Sequence, residues 1–315
     1  MLKGMAEHVD PRDLLISTRV RRLEGGEPPH RDPDLARIRR GYFKPRAAQL
    51  SDSDDYRLRI LATAAARQGP LTFSHTSAAE LWGCPLMRSD LGYVHATQPG
   101  LARRTTAGVR IHRSAIPDGH VVELPDGLCV TSREWTAVEL AATGAFPQVL
   151  LPLDFLVREI AREHGSPQDD VRAALVALVP KSMKGRERAQ RHLALADGRS
   201  GSAGESLSRG QMVLLRVPMP DLQVAFARGE QPGDDIVDFD WPELERFGEF
   251  DGEGKYFRRE FAGDRTPAQV LWEEKQREDR IRRHRPQGVR WGWRDALSRE
   301  RLGRILAQAG IRPAA

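Results

Sequence analysis

Cysteine is nearly missing from this 315-residue chain, which has only Cys84 and Cys129. Two thiols without metal-ligand spacing argue against a multi-cysteine zinc site and point to reduced thiols in a cytosol. Long apolar runs are missing too. No stretch approaches the ~18 residues that a bilayer crossing needs, so no membrane partner is expected. The opening MLKGMAEHVDPRDLL has no apolar signal core before its charges, which adds to the expectation of a cytoplasmic protein. Hydrophobic residues make up 40% of the chain, ordinary for a globular protein, and the length allows two domains with separate cores.

Charge is plentiful and unevenly placed. The formal net charge of +5 permits a polyanionic partner without demanding one. Residues 201–253 carry twelve Asp/Glu against four Lys/Arg, whereas residues 254–304 carry fifteen Lys/Arg against eight Asp/Glu. Such neighbouring blocks suit carboxylates that hold a divalent cation beside a basic flank that meets phosphates. The plainer alternative is a mixed charged surface on an Arg-rich protein.

Periodicity and breakers divide the chain. LLISTRVRRL (14–23) reads as a short amphipathic helix. LARIRRGYFKP (35–45) reads as a β-hairpin, in which Arg37, Arg39, Arg40, Lys44 and Arg46 make a basic ribbon. That ribbon suits the wing of a winged-helix DNA-binding unit, and equally a hairpin that caps a neighbouring sheet. Helices are expected over 54–67, from Ser74 to Gly83, and over 135–144, 149–165, 171–181 and 188–197. Strands are expected at 93–97, 108–114, 121–124 and 128–132. His75, His95, His112 and His120 lack the i, i+4 pairing of a helical metal site and are read as structural. Small, flexible residues in DGRSGSAG (197–204) set a domain boundary at 198/199. Beyond it the order is helix (204–216), strands (221–228, 234–243, 246–252), helix (266–284), strand (288–293) and a last helix (294–310).

This second half holds the residues that carry chemistry. Phosphodiester hydrolysis needs a hard cation to hold charge and to generate hydroxide, and Mg²⁺ favours carboxylate oxygens. Asp238 lies late in the apolar strand IVDFDW. Glu249 and Asp251 share one face of the next strand, because alternate residues do. Eleven positions separate Asp238 from Glu249, enough for two adjacent strands joined through WPELER. Lys255 follows four positions after Asp251, beyond a bend at Gly252. Strand-end solvation, or salt bridges to the Arg-rich helix, is the competing account of the two acids.

Taken together, the order α-β-β-β-α-β and the stretch EFDGEGKY (249–256) resemble the PD-(D/E)XK nuclease superfamily. More narrowly, that stretch is similar to the E-x-D-G-x-x-H/K segment of proteins related to very-short-patch-repair endonucleases. The resemblance covers about 200–310. It implies Glu205 as the helix acid, Asp238 as the motif aspartate, Glu249 and Asp251 as the following carboxylates, and Lys255 as the terminal basic group. Gln223 resembles a polar residue of the first strand, and Lys275 and Arg277 resemble the phosphate-facing side of the later helix. For these two a solvated helix face is an equal alternative. The plain motif has lysine two residues after the acid, where this chain has Asp251. Residues 35–160, through RRGYF, SHTSAAELWG, GVRIHRS and a VTS–W helix entry, resemble actinobacterial proteins with an AbiEi-type antitoxin domain.

The expectation is therefore an α/β chain with two parts. Residues 1–198 would form a winged-helix-like and antitoxin-like recognition module with a small α/β part. Residues 199–315 would form a restriction-endonuclease-like domain that hydrolyses nucleic acid, DNA first, with Mg²⁺ or Mn²⁺ on Asp238, Glu249 and Asp251. A toxin partner is a further expectation from the antitoxin resemblance. The alternative is a non-catalytic DNA-binding antitoxin or regulator with a vestigial nuclease fold.

Overall fold

The computed structural model describes residues 10–67, 69, 71–98, 104–229, 232–252 and 266–313. It is a mixed α/β protein with three sheets among these residues. Two compact units divide the chain: Met1–Thr143 with Leu175–Leu193, and Gly144–Ala174 with Ala194–Ala315.

The first unit opens with β1 (Ile16–Ser17), α1 (Thr18–Leu23), β2 (Leu35–Arg39) and β3 (Tyr42–Pro45). The run expected as one helix over 14–23 is thus part strand: Ile16 and Ser17 pair antiparallel with Phe43 and Tyr42, giving a small sheet ordered β1-β3-β2. Gly41, at φ +85°, makes the tight turn between β2 and β3, a backbone region that glycine enters without steric cost. Next comes α2 (Asp52–Ala65). Its Ser51 cap accepts from Asp54 N, and three aspartates in its first turn favour the helix dipole.

A mixed six-stranded sheet follows. It is built from β4 (Thr72–Phe73), β5 (Val94–Thr97), β6 (Arg104–Thr106), β7 (Val109–His112), β8 (Val121–Glu123) and β9 (Cys129–Thr131), in the order β6-β7-β5-β4-β9-β8. Between these strands run α3 (His75–Leu81), after β4, and α4 (Arg133–Thr143), after β9. Tyr56, Phe73, Val94, Ile111 and Val130 fill a single core. Tyr56 is wholly buried, so its hydroxyl must find partners, and it meets Ser77 Oγ at 2.8 Å and Tyr93 O at 2.7 Å.

The linking helices are α5 (Leu150–His164), α6 (Gln168–Leu178) and α7 (Arg186–Leu195). Most of α7 belongs to the first unit, where His192 Nδ1 meets Ala141 O at 2.9 Å. Residues 144–174 belong to the second unit, so the division does not fall at the expected 198/199. Helix α5 packs on α8 (Ala203–Leu215), and a buried ion pair joins them: Asp154 meets Arg209 at 2.6 Å, with side-chain exposures of 1% and 6%. Composition marks the flexible stretch at 197–204 but carries no sign of this long-range pair.

The second unit continues with β10 (Asp221–Ala227), β11 (Asp234–Trp241), β12 (Arg246–Asp251), α9 (Pro267–His284), β13 (Gln287–Gly292), α10 (Trp293–Ala296) and α11 (Arg299–Gln308). From α8 to β13 the order is α-β-β-β-α-β. The sheet runs β10-β11-β12-β13, antiparallel at the first two interfaces and parallel at the third. The stretch expected as one last helix divides because Ser298 caps a new one, its hydroxyl accepting from Arg301 N. Thr266 and Gln269 form a reciprocal capping box at the start of α9, and Arg282, Arg283 and His284 complement its carboxyl end. Val237, Phe247 and Ile281 pack as a buried cluster, and Phe239 stacks on Trp291, whose indole donates to Ser208 Oγ at 2.8 Å. Each such buried aromatic contributes about 1.5–3 kcal/mol. Among the described residues no helix is long and apolar enough to cross a membrane.

Candidate functional site: a carboxylate pocket

The pocket forms where two strands stop pairing. Pairs between β11 and β12 run from Trp241↔Arg246 to Phe239↔Gly248. The next amide along β12, that of Phe250, donates instead to Asp238 Oδ2 at 2.8 Å. Meanwhile β12 stays paired with β13 as far as Asp251↔Gly292. A cavity of about 450 Å³ opens there, lined by Glu205, Asp238, Glu249, Asp251 and Arg277 among others.

Gln223 ties two of the acids together. Its amide Nε2 donates to Glu205 Oε2 at 2.9 Å and to Asp238 Oδ1 at 3.2 Å. Its backbone sits at φ +53°, a region costing a non-glycine residue about 1–3 kcal/mol. Glu205 enters from the first turn of α8, where Ser202 caps the helix and Gly201 N donates to Glu205 Oε2 at 2.7 Å. Close approach of α8 to the sheet needs Gly204, since a Cβ there would lie 2.0 Å from Phe250 Cε1.

Burial pushes the Glu205 carboxyl above its ordinary range, and the charge of Asp238 adds to the shift. Asp238 is also raised, first by burial and then by Glu249, against the lowering effect of the Phe250 amide. Two desolvated carboxylates that share one amide donor repel each other. A proton or a hard cation between them would relieve that cost.

Glu249 is differently placed. Its Oε1 meets Arg277 Nη1 and its Oε2 meets Arg290 Nη2, both at 2.6 Å. Arg290 lies opposite Glu249 in the parallel β12–β13 register, and its Nη1 also reaches Glu274 Oε1 at 3.1 Å. Burial lowers the Arg290 pKa, but Glu249, Glu274 and Asp251 together outweigh it and the net shift is upward. The salt-bridge account of Glu249 is thus realised in part, through Arg277 of the Arg-rich helix and through Arg290, which spacing alone did not single out. Asp251 lines the cavity, with a half-buried side chain. The four acids do not bring three carboxylate oxygens within 4.8 Å of one another; among the described residues only a histidine group meets that distance.

The other expected residues scatter. Lys255 lies outside the described residues. Lys275 is exposed on α9, whereas Arg277 turns inward to Glu249 and to Ile236 O at 2.5 Å. In the hairpin, Arg37 and Arg40 are exposed. Arg39 donates to Thr63 Oγ1 at 2.6 Å, and Lys44 is ion-paired with Asp55, so these two brace α2 rather than line an open ribbon. Arg46 holds Pro33 O and Leu35 O, each at 3.0 Å.

No family model matches the chain. Two proteins of Mycobacterium tuberculosis, the uncharacterized proteins MT2308 (strain CDC 1551 / Oshkosh) and Rv2248 (strain ATCC 25618 / H37Rv), are each 29% identical over 158 residues, 50% of this chain and 55% of theirs. The chain thus spans about half the length of the curated relatives it matches. The crystal structure of the RV2827C protein from the same species aligns with a TM-score of 0.38 and 19% identity, over 70% of this chain and 86% of that one. None of these names carries an activity.

Proposed function

We propose that the carboxylate pocket is a hard-cation centre for hydrolysis of nucleic-acid phosphodiesters, DNA first. The observation that carries this reading is the convergence of Glu205 and Asp238 on the strained Gln223, both acids raised in pKa by burial, with the charge of Asp238 adding at Glu205 and that of Glu249 adding at Asp238. Oxygen donors of this kind fit Mg²⁺ or Mn²⁺, with Asp238 and Glu205 as first choices and Asp251 within the same cavity. The cation would supply charge stabilisation and an activated water. The chain's own residues would do the rest. Gln223 fixes the spacing of the acids, and Arg277 offers a guanidinium at the cavity edge for a phosphate. Asp251 stands where the nuclease motif has lysine, which leaves Lys255 as the candidate basic group.

The test is nicking of supercoiled DNA by the full chain with Mg²⁺ or Mn²⁺. Asp238→Ala and Glu205→Gln should each lower the rate at least 100-fold, and Lys255→Ala should lower turnover while leaving DNA binding intact. Equal nicking by wild type and Asp238→Ala sinks the reading.

One observation favours a second reading. Both Glu249 oxygens are held by guanidinium groups, so a metal there must displace Arg277 or Arg290. If those pairs persist, the pocket is a structural relic in a DNA-binding regulator, with or without a toxin partner. DNA binding would then need no divalent metal and would weaken steeply with salt.

A further inference from the structure

In the first unit, three histidines from three elements meet. His75 begins α3, His95 lies in β5 and His112 ends β7. Their rings form a compact stack: His75 and His112 have centroids 3.8 Å apart at 15°, and His95 lies 5.1 Å from His112 and 5.6 Å from His75. His95 Nδ1 and His112 Nε2 are 3.0 Å apart. One nitrogen or another from each ring falls within 4.8 Å of the others. Two imidazole nitrogens on a tetrahedral Zn²⁺ stand about 3.3 Å apart, given Zn–N bonds of about 2.0–2.1 Å. One pair is therefore already near that edge, and the third ring lies within 4.8 Å of both.

The surroundings favour metal over charge. Stacked imidazolium rings would repel, and metal ligation requires the neutral ring. A buried acid stands behind the group: Glu139 of α4, 3% exposed, accepts from His75 N at 3.0 Å through Oε2, and its Oε1 lies 3.5 Å from His75 Nδ1. Ser74 Oγ lies 3.0 Å from the same Nδ1. Ser74 thus holds the Nδ1 of His75, and Glu139 holds its backbone amide, so the ring is fixed from both sides. His75 is also held at φ +53°, an outlying conformation for a histidine at a helix start.

We propose that His75, His95 and His112 form a transition-metal site of Zn²⁺ type, with three imidazole ligands and an open fourth position. Nitrogen donors of this kind select Zn²⁺ over Mg²⁺, and the open position admits water or a ligand group. Glu139 is a positioning residue that orients His75. His120 stands apart, its Nδ1 2.8 Å from Ser132 Oγ.

The experiment is metal analysis of the full chain, stripped with chelator, reloaded with Zn²⁺ and desalted. One Zn²⁺ per chain should be retained by wild type, by His120→Ala and by Asp238→Asn, and lost from His112→Ala. Glu139→Ala, which removes the acceptor for His75 N, should weaken Zn²⁺ affinity several-fold, whereas Glu139→Gln, which keeps it, should bind as wild type does. X-ray absorption at the zinc edge of wild type should show imidazole scattering, a readout that needs no variant. Failure to retain Zn²⁺, retention undiminished in His112→Ala, or a first shell of oxygen alone would overturn the proposal.

Discussion

The two units gather donors of opposite kind. The first brings three imidazoles together, backed by the buried side chain of Glu139. The second brings carboxylates to the point where two strands part, bridged by one amide and flanked by guanidinium groups. Each places a non-glycine residue in left-handed backbone at its centre, His75 in one and Gln223 in the other. The difference lies in how each cluster tolerates having no cation. Imidazole rings can stack face to face, whereas the carboxylates of Glu205 and Asp238 are held above their ordinary range, first by burial and then by neighbouring negative charge.

The largest change that should separate the units is loss of the ion pair under the carboxylate pocket. Asp154→Ala leaves Arg209 buried and unpaired, at a cost of about 3–5 kcal/mol. Hydrogen exchange should then speed up across α8 and β11 while β5 and β7 keep their protection. Equal loss of protection in both sets would show that the clusters do not belong to separate scaffolds.

A smaller effect concerns pH. Because the folded pKa of Glu205 is raised above its ordinary 4.5, its contribution to stability is fully present below that value and is lost as pH rises through the folded one. Metal-free protein should therefore lose stability upward from about pH 4.5. Glu205→Gln should melt above wild type at pH 8, with a margin that shrinks on acidification. Mg²⁺ should raise the melting temperature of wild type and leave Glu205→Gln unmoved. A variant less stable than wild type at pH 8 without metal would mean that the acid is not under strain.

Much of the second unit was legible along the chain. Apolar alternation and the acid spacing of EFDG are local signals, and they mark the α-β-β-β-α-β order and the shared face of Glu249 and Asp251. What escaped was long-range. Arg290 reaches Glu249 only because β12 and β13 pair in parallel register. The left-handed backbone at Gln223 has no mark in DLQVAF. Arg39 and Lys44 look like a free basic ribbon until α2 packs beside them. The histidines carry no local metal signal, because helical metal sites repeat within one turn, whereas these are separated by 20 and 17 positions and meet only through the sheet. The 198/199 boundary missed the packing of α5 on α8.

The most direct test of the carboxylate centre is Mn²⁺ titration of chelator-stripped, Zn²⁺-loaded protein, followed by loss of the free Mn²⁺ resonance signal. The account predicts one Mn²⁺ bound per wild-type chain and binding weakened at least tenfold in Asp238→Asn. Uptake that is identical in wild type and Asp238→Asn would contradict it.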